Sequence, residues 1–184
     1  MEKSERIERR PEYDAEDWEA VGKLKEYVEG IGFTFAENEN RLSDADCGIW
    51  WHSSYASAVS FRKTIPDIVE LLENLKHLTE VSIWSTVDDL RWLCELRDIE
   101  LLDFWNFDNK IHIDKFRGLD SWISAETIQA VSFFRGLPYI PTFIRKFGKL
   151  KGLAFLANPT PIFLPDWIAE LPIYSASIAC NPCG

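Results

Sequence analysis

The side chains whose types and spacing invite chemistry are His52, His77 and His112, the pair Cys180-x-x-Cys183, and the acidic pairs Asp88-Asp89 and Asp44/Asp46. A histidine beside a serine or cysteine nucleophile would act as a general base. Here each histidine stands in a separate part of the chain with no such neighbour, and each reads as a surface or satisfied core residue. His112-x-Asp114 is too short a match to carry a role. Cys180 and Cys183 have the spacing of half a zinc site or a redox pair, but structural zinc takes four ligands and the sequence holds no second Cys-x-x-Cys. The acidic pairs fall at turns and helix starts, where unpaired backbone N–H groups favour carboxylates. A glycine-rich phosphate loop is missing. The expectation is a chain with no catalytic residues, no metal site and no cofactor, and therefore not an enzyme.

The bulk composition sharpens that expectation. With 184 residues, 46% of them hydrophobic and 14% aromatic, the chain can bury a sizeable core and is not disordered. A net charge of −10 and a pI near 4.8 argue against nucleic acid or an anionic membrane as partner, and leave a basic protein open. The charge is uneven: residues 135–184 hold 5 of the 20 basic and 2 of the 30 acidic side chains, so the acidity belongs to the first two thirds. No apolar run is long enough to cross a bilayer, and the opening Met-Glu-Lys-Ser-Glu-Arg lacks a signal-peptide core, which reads as cytoplasmic. Four irregularly spaced cysteines read as reduced thiols.

The elements follow from apolar spacing. Arg10–Gly30 carries Trp18, Val21, Leu24 and Val28 on one helical face, and residues 1–30 are expected to form an N-terminal helical cap. From there to residue 184, two apolar residues separated by one position recur as Phe33/Phe35, Val59/Phe61, Val81/Ile83, Leu102/Phe104, Val131/Phe133, Leu153/Phe155 and Ala176/Ile178. Successive second members are 26, 22, 21, 29, 22 and 23 residues apart. Three positions before the pairs stand Gly30, Ala56, Leu78, Ile99, Ile128, Leu150 and Ile173. Three positions after them stand Asn38, Thr64, Thr86, Phe107, Gly136, Asn158 and Asn181, mostly residues able to bond turn backbone. Pro66, Asp88, Pro141 and Pro165 open apolar three-four spacings, each of which predicts a short helix of two or three turns.

Leu150–Asn158, with Leu150, Leu153, Phe155 and Asn158 in the spacing L-x-x-L-x-L-x-x-N, resembles the strand segment of a leucine-rich repeat. Pro141–Pro159 and Leu164–Pro172 extend the likeness, which is most specific in the last third of the chain. It implies an α/β leucine-rich-repeat solenoid: residues 31–184 as about seven units forming one domain with the cap, a curved parallel sheet on the concave side and short helices on the convex side. In that family the Asn or Thr position stacks as a ladder bonded to neighbouring turns. The overlong unit contains Phe107–Gly118, whose alternating isoleucines suggest a protruding strand or hairpin arm.

Alternation along a strand sends the paired residues into the core and their neighbours outward. The outward column after each pair reads Ala36, Arg62, Trp84, Trp105, Phe134, Leu156 and Ala179. The column between the paired residues reads Thr34, Ser60, Ser82, Asp103, Ser132, Ala154 and Ser177, and the one before it Gly32, Ala58, Glu80, Leu101, Ala130, Gly152 and Ser175. A register slip of one residue would bury the aromatic stripe as core; the Asn positions at both ends oppose that slip. The candidate partner-binding set is Arg62, Glu80, Trp84, Asp103, Trp105, Phe134 and Leu156, an apolar stripe of several hundred Å² with a charged border. The expected function is non-enzymatic binding of a protein partner, basic in character, by a monomer or weak homo-oligomer. An inhibitor or immunity protein that occludes a toxin or enzyme is one specific form. The alternatives are a scaffold or self-assembling subunit packing through the aromatic column, and an enzyme with a cleft near Phe107–Gly118.

Overall fold

Alternating runs become strands in a computed structural model of the chain, which describes residues 13–27, 33–36, 47–52, 55–108, 112, 114–122, 125–159 and 161–180. The strands are β1 (Phe33–Ala36), β2 (Cys47–His52), β3 (Tyr55–Phe61), β4 (Glu80–Trp84), β5 (Leu101–Trp105), β6 (Ala130–Phe134), β7 (Gly152–Asn158) and β8 (Ser175–Cys180). They form one open eight-stranded sheet in chain order, parallel except for the β2–β3 pair. Together with α1 (Ala15–Tyr27), α2 (Ile68–Leu72) and several 3₁₀ turns among the described residues, the fold is α/β.

Parallel pairing is kept in register by a bond set that repeats from strand to strand. The Thr79 carbonyl accepts the N–H groups of Glu100 (2.8 Å) and Leu101 (3.0 Å), and the Glu100, Gln129 and Lys151 carbonyls do the same for the next strand in turn. At the other strand end, Ser85, Asn106 and Arg135 donate their N–H groups to the carbonyls of Trp105, Phe134 and Leu156 at 2.8, 2.8 and 2.9 Å. A one-residue slip would break both sets and turn every side chain over. The pairs Val59/Phe61, Val81/Ile83, Leu102/Phe104, Val131/Phe133 and Leu153/Phe155 are all buried, each no more than 4% exposed.

Two sequence expectations are corrected. The Phe33/Phe35 strand does not lie beside Val59/Phe61, because β2 intervenes and runs antiparallel to β3. Cys47, Ile49 and Trp51 alternate inward from β2 and are buried; a search that demanded an apolar anchor three residues before each pair passes over them. The connecting segments are also tighter than two- or three-turn helices. Apart from the five-residue α2, they are 3₁₀ turns at Arg91–Glu95, Lys115–Ser121, Thr142–Lys146 and Asp166–Glu170. Their buried residues explain this: Leu90, Leu93, Leu96 and Ile99, then Phe116, Leu119, Trp122, Ala125 and Ile128, recur every third residue, the period of a 3₁₀ helix.

The ladder positions bond neighbouring turns where their side chains permit. Thr64 Oγ1 accepts the Asp88 N–H at 2.8 Å, Thr86 Oγ1 donates to the Arg62 carbonyl, and Asn158 Oδ1 accepts the Gly136 N–H at 2.7 Å. Phe107 instead enters the core, stacked on Phe116 at 4.7 Å. Gly136 has φ +111°, and a Cβ there would lie 2.5 Å from the Asp108 Cα, so only glycine fits. The alternating isoleucines of the expected arm, Ile111 and Ile113, lie outside the described residues; after them Lys115 donates to the Ser85 and Val87 carbonyls at 2.6 and 2.7 Å, and Phe116 is buried. Residues 109–111 and 113 lie outside the described set, as do Gly30, Gly32, Asn38, Asp44, Asp46, Asn181 and Cys183.

The helix α1 joins the same core through Ala20, Val21 and Leu24. Asp14 Oδ1 accepts the N–H groups of Glu16 (2.9 Å) and Asp17 (3.0 Å), which starts the helix. Asp17 is fully buried; its Oδ2 accepts the Ala56 N–H at 3.1 Å and lies 3.0 Å from His77 Nδ1. Asp17 therefore ties α1 to β3, and His77, read from sequence as isolated, joins the same contact from the connection between α2 and β4. Asp17→Ala leaves the Ala56 N–H buried without its acceptor and is expected to lower unfolding free energy by about 2–3 kcal/mol in urea titration, while Glu16→Ala, which removes a solvent-screened pair with Lys76, leaves it nearly unchanged.

Candidate binding face

On the side of the sheet opposite the core, equivalent positions of β3 to β7 line up in three columns. Strand register pairs Trp84 with Trp105, Trp105 with Phe134, and Phe134 with Leu156. Strands about 4.8 Å apart leave flat rings little choice but to stack. Trp84 and Trp105 have centroids 5.3 Å apart at 17°, and Trp105 and Phe134 3.8 Å apart at 1°. Arg62 closes one end of the column, its guanidinium carbon 3.9 Å from the Trp84 ring centroid. Leu156 follows Phe134 at the other end.

The middle column is Ser60, Ser82, Asp103, Ser132 and Ala154, and the third is Ala58, Glu80, Leu101, Ala130 and Gly152. All seven sequence-selected residues thus share one face: five in the aromatic column, Asp103 in the middle one and Glu80 in the third. Burial alternates strictly along β5 and β6, which settles the register in favour of Leu102, Phe104, Val131 and Phe133 as core. The stripe is less exposed than its residue types suggest. Trp84, Trp105, Phe134 and Leu156 are all half-buried, because stacking covers ring faces and leaves ring edges outward. Trp105 Nε1 is buried within the stack with no hydrogen-bond partner.

Asp103 is the electrostatic centre of the face. Ser82 Oγ donates to its Oδ2 at 3.3 Å, and Ser132 bonds it from the other side. Burial pushes its carboxyl up to about 6, against the downward pull of the two serine bonds. The folded chain therefore holds this proton more tightly than the unfolded chain. Stability is expected to fall as pH rises from about 4 to about 6 and to stay lower above, by up to about 3 kcal/mol. Urea titrations of wild type and Asp103→Asn across that range isolate the effect: the variant gains on wild type through the window and remains ahead at pH 7.

Sequence reasoning missed Trp50. It opposes Ala58 in the β2–β3 register and is half-buried. Its indole crosses Gly48, where a Cβ would meet Trp50 Cη2 and Ser60 Oγ at 3.1 Å each. The chain matches no family model, curated protein or solved structure. What the face can do must therefore be argued from its own groups.

Elsewhere the reactive residue types are engaged locally. Cys47 is buried, and burial raises the half-buried Cys94 thiol. Asp89 bonds the Arg91 guanidinium and N–H, which hold its carboxyl below the ordinary range. His112 Nδ1 lies 3.3 Å from Asp108. Among the described residues no cluster of three His, Cys, Asp or Glu is arranged for a metal, and no helix is long and apolar enough to cross a membrane. Depressions of about 470 and 440 Å³ lie on the helical side, lined by Lys76, Arg97 and Asp98 and by Asp67, Glu70 and Trp92 respectively.

Proposed function

We propose that the chain is a divergent leucine-rich-repeat solenoid that binds a basic protein on the concave side of its sheet. The observation that carries this reading is the stacked slab Trp84–Trp105–Phe134, capped by Arg62 and flanked by the half-buried carboxylate Asp103. Rings already locked by their neighbours lose little freedom when covered, so contact with them is converted efficiently into affinity. The floor beside them is made of small residues; Ala58, Ser60 and Ser82 are buried, and Ala130, Ser132, Gly152 and Ala154 leave room for a partner side chain. An aliphatic stem lying along the ring edges with its cationic head at Asp103 satisfies both features. The repeating backbone bonds and the Thr64, Thr86 and Asn158 ladder support the family assignment.

The net charge of −10 suits long-range attraction of a basic nuclease, toxin or other enzyme, for which the chain acts as a non-catalytic inhibitor or immunity protein. Affinity capture at low and high salt tests this. A basic partner is expected, released by salt and weakened by Glu80→Lys or Asp103→Asn. An acidic partner, or capture indifferent to both substitutions, would sink the proposal.

A further inference from the structure

The last unit of the sheet is uncovered at positions that are buried one unit earlier. Phe155 is 1% exposed, but its register partner Ile178 is 46% exposed. Ile140 before Pro141 is 3% exposed, but Leu164 before Pro165 is 49% exposed. Beside them Tyr174, which stands where the preceding unit has the exposed Lys151, is 81% exposed. Among the described residues, β8 pairs with β7 on one edge only. Edge strands are ordinarily protected by lysine, proline or a bulge directed at the free side. The strand Ser175–Cys180 carries neither charge nor proline, and no charged residue stands from Leu171 to Gly184.

We infer that β8 is a self-association edge, where a second copy of the chain adds its own β8 antiparallel about a two-fold axis. Charge selects this occupant and this place. A homotypic contact sets each charge against its own copy, and at net −10 most of the surface repels a second molecule. The strand β8 itself carries no charge, and the charges of its unit, Asp166 and Glu170, lie in the preceding 3₁₀ turn rather than on the strand edge. Side-chain alternation limits the two-fold pairing to registers that keep faces matched. An axis at Ser177 sets Ala176 of one copy opposite Ile178 of the other on the core face, and Ser175 opposite Ala179 on the outer face. The two sheets then continue each other with a joined core. Tyr174, Leu164 and Ile178 with the strand edge bury about 500–600 Å² per copy, or about 1,000–1,200 Å² in all, the lower range of specific interfaces. The edge adjoins the aromatic column only at Leu156, whose register partner is Ala179; Trp84 and Trp105 stand on β4 and β5, three or more strands away, so changes there distinguish the dimer from the protein-binding proposal.

Sedimentation velocity of the full chain over a micromolar to submillimolar series tests the inference. Wild type is expected to shift with concentration toward twice 21.3 kDa. Ile178→Lys and Tyr174→Lys each weaken self-association by about tenfold or more; Tyr174, so exposed, can be changed without cost to folding. The Trp84→Ala/Trp105→Ala double variant dimerises as wild type does. Three results would overturn the inference: a wild-type monomer throughout, a dimer indifferent to both lysines, or a dimer lost in the tryptophan double variant.

Discussion

Phe104→Ala is expected to lower the unfolding free energy by about 3–5 kcal/mol, the largest loss from any single side chain discussed here. Phe104 is 1% exposed and sits where strand stacking and the overlong unit meet. Its ring stacks on Phe133 at 5.2 Å and 15°, and meets Phe116 and Phe143 edge-on at 5.1 and 5.9 Å. Phe133 in turn stacks on Phe155 at 5.1 Å. Rings pinned by parallel strands cannot close over the space an alanine leaves, so both the transfer and the cavity contributions are felt. Phe104→Leu, which keeps most of the volume, is expected to cost less than half as much. Urea titration at constant pH measures both, and a Phe104→Ala loss below about 1 kcal/mol would mean that this cluster is loosely packed.

Trp105→Ala is expected to weaken partner binding by about 2 kcal/mol or more, about thirtyfold in Kd, by calorimetry with the captured partner. The substitution removes the centre of the stack and frees the facing surfaces of Trp84 and Phe134, so the loss extends beyond one ring's contact. Some stability goes with it, since the indole is half-buried, and circular dichroism must show a folded variant first. Trp105→Phe restores a ring and eliminates an indole N–H that is buried without an acceptor. It is expected to recover most of the affinity. Leu156→Ala, at the end of the column and outside the ring stack, is expected to change Kd only a few-fold.

Much of this architecture was readable because strands leave a strong imprint. The pairs from Val59/Phe61 to Leu153/Phe155 recur at near-constant spacing, and their burial is complete. Placing Trp84, Trp105, Phe134 and Leu156 in one column required only the period-two alternation of a strand and equal register between units. Other features depend on tertiary contacts that no local spacing reveals. The antiparallel β2 interrupts the parallel series, and Asp17 meets His77 and Ala56 from distant parts of the chain. Stacking also changed the character of the stripe, because residue types alone do not tell whether rings present faces or edges. The 3₁₀ turns are different: every-third-residue spacing at Leu90, Leu93, Leu96 and Ile99 was in plain view, but it also satisfies part of an α-helical face. Ile178 occupies a core position of the repeat in sequence, and its exposure shows only in the sheet, where no described strand pairs with the far edge of β8.

Hydroxyl-radical footprinting of the chain, free and bound to its captured partner, tests most directly whether the partner occupies this face. Oxidation of Trp84, Trp105 and Phe134 is expected to fall on binding, whereas Trp92, packed edge-on against Phe61 on the other side of the sheet, and Trp167 in the last 3₁₀ turn stay at their free levels. Protection of Trp92 and Trp167 with Trp84 and Trp105 unchanged would contradict the account.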